Sequence, residues 1–545
     1  MMHSIARVFP RYTLIAVVFA MSVAVLPVQL WAKTPASAEI AVTNLGFSQA
    51  VATAAATEPA LAEWYRTTGF APLWTASGQA ERRAALFAAL ATASAHGLPP
   101  ARYRADALVG ALNDAVTEAD RARLEVALSL AYLTWAGDLT SGMLKPATID
   151  PGILRDIHRI DKQTLMSRLA NGDPQKVFDW LVPDDPNYIA LMKAKIGLET
   201  EIAAGGWGET VAAASLGPGD SGPQVVALRD RLILMGYLAP TATASYDPAI
   251  TAAVQAFQIT HGLVAEGLAA ETTLAEMNLG AEDRLKSVIV ALERSRWMDI
   301  DHDARHVWVN LPDFKAQIVE AGQTVFETRV VIGKNVPDQR TPEFSDIIEH
   351  MVINPSWGVP RSIIVKEYLP LLQQNPYAVG HLQVIDGRGR VIPRDAINFT
   401  AYSSGSFPYS MRQLPSDSNA LGLVKFMFPN PYNIYLHDTP SKSLFDKDIR
   451  AFSHGCIRVA DPFDLAHALL SVQSSAAEEE FDAHLQTGDE TTVPLEKVVP
   501  VHLVYFTAYP DDRGRISYRR DVYGRDAALF EALKAAGVAL PGVQR

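Results

Sequence analysis

The sequence predicts a multidomain α+β protein: a helical N-terminal scaffold, a small three-helix module, and a mostly-β C-terminal domain with a lid. Three observations predict it. The chain has 545 residues, more than one hydrophobic core ordinarily serves. Apolar residues recur at spacings of three and four through residues 39–209. From about residue 283 the pattern changes to alternating β-branched runs, the period of strands. A composition 48% hydrophobic and 20% charged suits folding rather than disorder. The net charge of -12 disfavours a nucleic-acid partner, whose phosphates would need clustered Lys and Arg.

Residues 1–38 read as a signal peptide or signal anchor. Arg7 and Arg11 precede an apolar stretch from Thr13 to about Pro27, and Ala36 and Ala38 form an A-x-A-like cleavage site. Uncleaved, Thr13 to Ala32 is about long enough to cross a bilayer. Residues 39–209 then give amphipathic helices such as RARLEVALSLAYLTWAGDL, with breaks at Gly97-Leu98-Pro99-Pro100 and around Pro183 to Pro186. Nothing there groups a nucleophile, a base and an acid.

Residues 216–279 form a compact helical segment. The spacing predicts helices from Pro223 to Met235, near Ile250 to His261, and after Glu271, with Val225, Leu228, Leu232, Val254 and Phe257 as core. The runs LGPGDSGPQVVALRDRLILMGYL, YDPAITAAVQAFQITHGL and EGLAAETTL resemble the peptidoglycan-binding domain 1 family, which implies a wall-binding module. Ala-Thr-Ala-Ser before Tyr246 departs from that family's pattern, and a plain helical spacer is the competing reading.

Residues 283–530 hold the strands, among them HVWVNL, TVFETRVVIG, IIEHMVIN, VKFMF and VHLVYFTAY. Residues 393–419, polar and rich in Gly, Ser and Pro, read as a long loop or lid rather than core.

The chain has one cysteine, so no intramolecular disulfide is available, and an exported lone thiol is exposed to oxidation unless it works or is buried. Its surroundings are NIYLHDTPSKSLFDKDIRAFSHGCIRVADP. A strand from Ile434 to Leu436 delivers His437, and fifteen residues, 438–452, separate it from Ser453-His454-Gly455-Cys456-Ile457-Arg458. Acyl transfer through sulfur needs a base or cation beside the thiol, and His437 and His454 are the nearby candidates. Gly455 permits unusual dihedrals, and the N–H groups around Gly455 and Cys456 suit an oxyanion hole. Asp461-Pro462 reads as a helix start. No H-E-x-x-H grouping is present, and neither a metal nor another cofactor is expected.

This His, fifteen-residue gap and Ser-His-Gly-Cys pattern resembles the signature of the YkuD-type L,D-transpeptidases. The likeness runs from ALERSRW through TPEFSDIIEHMVINPSWGVPRSI to VHLVYFTAYPDDRGRISYRRDVYGRD, and it favours the large proteobacterial members. Arg458 stands where many small members carry Asn, as in the large ones. The resemblance implies Cys456 as nucleophile and His437 as general base, with His454, Gly455 and Arg458 shaping the site. His454 reads equally as catalytic or structural. Arg458 reads as orienting the nucleophile loop, binding a stem-peptide carboxylate, or pairing with Asp461. In this family a backbone carbonyl beside the base commonly completes the triad, so Asp438 reads as a turn residue. Ser453, Tyr409, Arg412 and Asn419 are the candidate substrate contacts.

The implied reaction is peptidoglycan cross-linking. A tetrapeptide stem loses D-Ala to form a thioester, and the amine of a second stem makes a 3→3 link. Water or a D-amino acid as acceptor would give L,D-carboxypeptidase or exchange activity instead, and a lipoprotein lysine would tether the outer membrane. A catalytically inactive wall-binding scaffold is the reading of a different class. The implied location is the periplasm. The implied partners are stem peptides and other cell-wall synthesis enzymes, with membrane contact only through an uncleaved N-terminal segment.

Overall fold

A computed structural model describes residues 38–301, 303–511 and 513–541. The export segment expected at residues 1–38 lies outside them except for Ala38, which opens the first helix (Ala38–Ala55). Among the described residues no helix is long and apolar enough to cross a membrane.

The N-terminal region is helical, as the three-and-four spacing predicts. Its longest helix, Glu118–Ser141, starts at a capping box between Thr117 and Asp120 and buries Leu128, Tyr132, Trp135 and Leu139. Asp161, Asp173 and Asp185 cap later helices, and Pro174 and Pro186 occupy the first turn where no N–H is missed. Glu125, fully buried, accepts from the backbone of Leu73, Trp74 and Thr75, so a carboxylate organises the loop before helix Ala80–Ala91.

The small module consists of helices Pro223–Leu234, Pro248–Thr260 and Glu271–Met277 around fully buried Val225, Leu228, Leu232, Val254 and Phe257. It is docked, not merely tethered. His261 lies between Phe257 at 3.8 Å and Tyr518 at 5.5 Å. Arg519 donates to the Thr260 carbonyl, while Glu276 accepts from Arg284 and Arg520.

The C-terminal region has strands β1 (His306–Asn310), β2 (Lys315–Glu320), β3 (Gln323–Gly333), β4 (Phe344–Ile353), β5 (Trp357–Gly358), β6 (Leu382–Ile385) and β7 (Ser410–Gln413). There follow β8 (Val424–Met427), β9 (Leu436–His437), β10 (Ala451–Ser453), β11 (Ile457–Val459), β12 (Thr491–Val504), β13 (Ala508–Pro510) and β14 (Ile516–Tyr518). The main sheet runs β10-β3-β11-β9-β8-β4-β12-β1-β2, and β2 also pairs with β3, so it closes on itself. Val330, Phe426, Leu436, Ile457 and Val459 enter one core with Leu465 and Leu469 of helix Pro462–Leu470. By strand alternation, residues 437, 456 and 458 face away from that core, while Tyr435, just before β9, packs partly against it.

Residues 393–419 correct the expectation of a loop without a core. Together with residues 357–385 they build an insert with its own sheet, β5-β7-β6, and its own apolar cluster. Phe399, Phe407 and Met411 are buried in it, and Phe407 meets Phe399, Tyr402 and Tyr409 at ring separations of 6.1, 5.7 and 5.5 Å. These aromatics follow neither helical nor strand period, so periodicity does not reveal them.

After β12 the chain makes the β13–β14 hairpin and helix Arg525–Ala535, which packs with helices Pro186–Ala203 and Ala281–Ser295. The joint contains ions as well as apolar groups. Arg294 bridges Glu343 and Asp526 at 2.5 and 2.9 Å, and Arg525 also reaches Glu343, all of them buried.

Candidate active site

β9 and β11 run parallel, with Leu436 opposite Ile457 and His437 opposite Arg458. Leu436 and Ile457 anchor this pair in the core, so His437 and Arg458 stand together on the outer side. Lys425 of β8 is the register partner of His437 on its other side. The expected strand Ile434 to Leu436 is shorter in space. Asn433 has φ +55°, and the Asn430 side chain pins the preceding turn through Tyr432 and Ile434.

His437 is buried, and its Nδ1–H donates to the Asp438 carbonyl at 2.5 Å. A carbonyl can only accept, so this bond sets the tautomer and leaves Nε2 with its lone pair. Burial, and then the Arg458 charge, push His437 down to about 4, so the ring is neutral near pH 7. The Asp438 carboxylate points elsewhere, to the N–H groups of Leu423 and Thr439 and to Lys442. Gly422, at φ +60°, makes room for it: a Cβ there would lie 2.2 Å from Asp438 Oδ2.

Cys456 is half-buried, and its thiol donates to the Asn433 carbonyl at 3.4 Å. Burial pushes the thiol up to about 11, opposed by hydrogen bonding from Tyr435 and by the Arg458 charge. Tyr435 is itself raised, chiefly by burial, so its phenol stays protonated beside the sulfur. A neutral thiol and a neutral imidazole therefore share the outer face. Such a pair suits proton removal during attack rather than a thiolate formed beforehand.

The nucleophile loop is held internally. The Ser453 hydroxyl donates to the Cys456 carbonyl at 2.5 Å and accepts the Gly455 N–H at 3.1 Å. This corrects two expectations. Ser453 is buried and engaged within the loop, not turned towards a substrate, and the Gly455 N–H is already taken. The Cys456 N–H, by contrast, meets no protein acceptor among the described residues. Asn419 is corrected likewise: it is fully buried, with its amide spent on the Leu414 carbonyl and the Leu421 N–H. Tyr409 and Arg412 belong to the insert, Tyr409 against Tyr402 and Phe407, Arg412 donating to Gln383.

His454 is bonded through Nε2 to Glu367 at 2.6 Å, on a π-turn (Ile364–Tyr368) of the insert. Arg458 has no carboxylate partner among the described residues, and Asp461 instead accepts from Thr328. Thus the Arg458–Asp461 pair is absent, and Asp461 does not cap its helix through its side chain. Sequence reading missed Tyr435, Asn433, Thr341 and Glu367. Tyr435 had a legible signal, standing two residues before His437. The other three come from turns or from distant segments.

Among the described residues no group of three or more His, Cys, Asp or Glu is placed to hold a metal ion. Residues 304–494 match the family model of the L,D-transpeptidase catalytic domain (YkuD). The similarity to that catalytic domain covers less than half of the chain. Ahead of that stretch, residues 59–194 match a scaffold domain and 221–277 a "Putative peptidoglycan binding domain". A curated relative from Haemophilus influenzae, named "Putative L,D-transpeptidase", is 35% identical over 225 residues, 41% of this chain and 45% of that protein. The match thus spans less than half of the relative's length. Solved L,D-transpeptidases from Stackebrandtia nassauensis and Xylanimonas cellulosilytica are each 16% identical, with TM-scores of 0.22 and 0.19. They cover 55% and 54% of this chain and are themselves covered over 97% and 100%. At those scores the overlap assigns no residue of the site.

Proposed function

We propose that the protein is a peptidoglycan L,D-transpeptidase that forms 3→3 cross-links through a Cys456 thioester and acts in the periplasm. The observation that carries this reading is the parallel pairing of β9 with β11, which sets Arg458, two residues after the chain's only thiol, opposite His437, whose Nδ1 is committed to a carbonyl. Cys456 Sγ attacks the carbonyl of the third residue of a tetrapeptide stem as its proton passes to His437 Nε2. The oxyanion draws on the free Cys456 N–H and the protonated Tyr435 phenol, the donors at hand. Collapse breaks the C–N bond, and the imidazolium returns its proton to the departing D-Ala amine. The side-chain amine of a second stem then attacks the thioester, loses a proton through His437, and releases the thiol.

Arg458 and Lys425 flank His437 in register, and neither forms a salt bridge with a carboxylate among the described residues. They suit the carboxylates of a stem peptide, while burial, helped by the Arg458 charge, keeps the base neutral. The matched wall-binding module and its fixed docking support a polymeric substrate.

The test is incubation of the protein with disaccharide-tetrapeptide, read by mass spectrometry. A dimer lacking one D-Ala is expected. Tripeptide alone would reassign the domain to hydrolysis, and unchanged substrate with intact Cys456 would leave only a wall-binding scaffold.

A further inference from the structure

Thr341 lies far from the signature in sequence, yet its side chain ends on the nucleophile loop. Fully buried, it donates through Oγ1 to the Gly455 carbonyl at 2.7 Å and accepts the Gly333 N–H at 2.9 Å. The chain of bonds continues outward. The Tyr523 phenol donates to the Gly333 carbonyl at 2.7 Å and accepts the Thr341 N–H at 3.2 Å. Arg525 then holds the Thr341 carbonyl at 3.1 Å. Tyr523 and Arg525 both lie beyond residues 304–494, the matched catalytic domain.

A peptide unit is planar and trans, so its C=O and N–H point in opposite directions. The carbonyl of Gly455 and the N–H of Cys456 share one such unit. Anchoring that carbonyl on Thr341 therefore sets the direction of the Cys456 N–H. Gly455, at φ +121°, leaves the unit free to rotate without such an anchor. Ser453 occupies the neighbouring N–H, whereas the Cys456 N–H that Thr341 aims is still available to an oxyanion.

We propose that Thr341 is a positioning residue for acyl transfer, aiming the Cys456 N–H at the oxyanion, and that Tyr523 of the C-terminal segment holds Thr341 in place. This rests on the transpeptidase reading above. The segment after residue 504 thereby completes a site whose reacting groups all lie before it.

The experiment compares two reactions of the same thiol in the full-length protein. Acyl transfer from disaccharide-tetrapeptide passes through an oxyanion, whereas alkylation by iodoacetamide does not. Thr341→Val keeps the shape and removes the hydroxyl. It is expected to lower kcat about 10- to 100-fold, with KM and the alkylation rate at each pH held near wild type. Thr341→Ser should restore most of kcat. Tyr523→Phe should move kcat in the same direction by a smaller factor, and it carries the test if Thr341→Val does not fold. Equal kcat in wild type and Thr341→Val would overturn the proposal, and so would a parallel fall of alkylation and acyl transfer. A wild-type protein without acyl transfer would instead overturn the transpeptidase reading, and this inference with it.

Discussion

At the scale of the residue, the proposed base and nucleophile are tuned apart. His437, held down to about 4 by burial and the Arg458 charge, is a free base across the neutral range. A base with a lowered folded value is lost only when pH falls through that value. The acid limb of kcat/KM should therefore lie near pH 4, not near the ordinary histidine value of about 6.5. Cys456 carries the opposite shift, so its alkylation rate should still be rising with pH beyond the ordinary thiol value of about 8.5. Cys456→Ala should remove all labelling, since no other thiol exists. His437→Ala should lower acyl transfer by about 10²- to 10⁴-fold while the protein still folds. An acid limb at pH 6 to 7 would assign the base elsewhere, with His454 the first alternative. Gly422 makes a second residue-scale test. A methyl at its position would meet Asp438, whose carbonyl orients the base. Gly422→Ala should cost about 1–3 kcal/mol in denaturant unfolding and about 100-fold in kcat.

At the scale of the element, the insert between β4 and β8 is a small fold in its own right. Its aromatic cluster centres on Phe407, and it touches the nucleophile loop through Glu367 and His454. Because this cluster is separate from the core of the main sheet, the two should respond differently to truncation. Phe407→Ala removes a buried ring and should destabilise the insert locally by about 3–5 kcal/mol. Limited proteolysis should then cut within residues 401–418 faster than in the wild-type protein, while the main thermal transition moves little. A global loss of stability equal to the local one would show that insert and sheet unfold together.

At the scale of the whole molecule, the C-terminal segment joins the parts. Glu343, at the start of β4, is clasped by Arg294 from the helix before the sheet and by Arg525 from the last helix. Breaking such a buried set by removing one partner strands the other charges in apolar surroundings. Glu343→Gln should lower stability by about 3–5 kcal/mol, read as a shift of the urea midpoint, and should lower kcat as well, since Arg525 also holds Thr341. A midpoint within experimental error of wild type would mean that the apolar joint alone holds these elements.

Much of this protein is legible in its sequence, because local rules decide it. The three-and-four spacing before residue 209 forms helices, and the module's core positions are those of its helical period. The alternation in TVFETRVVIG and IIEHMVIN forms β3 and β4. The Ser-His-Gly-Cys motif and the histidine before it were readable as chemistry, since few residue types can supply a nucleophile and a base. Where Ser453 and Asn419 point was not readable, because burial depends on what folds over them. The insert's core was hidden too, as its aromatics pair by proximity rather than by period. Only the tertiary structure brings Thr341 and Tyr523 to Gly455, and only it removes the Gly455 N–H from the available donors. These contacts join positions more than a hundred residues apart along the chain or are decided by rotation of a single peptide unit, and no local pattern records either.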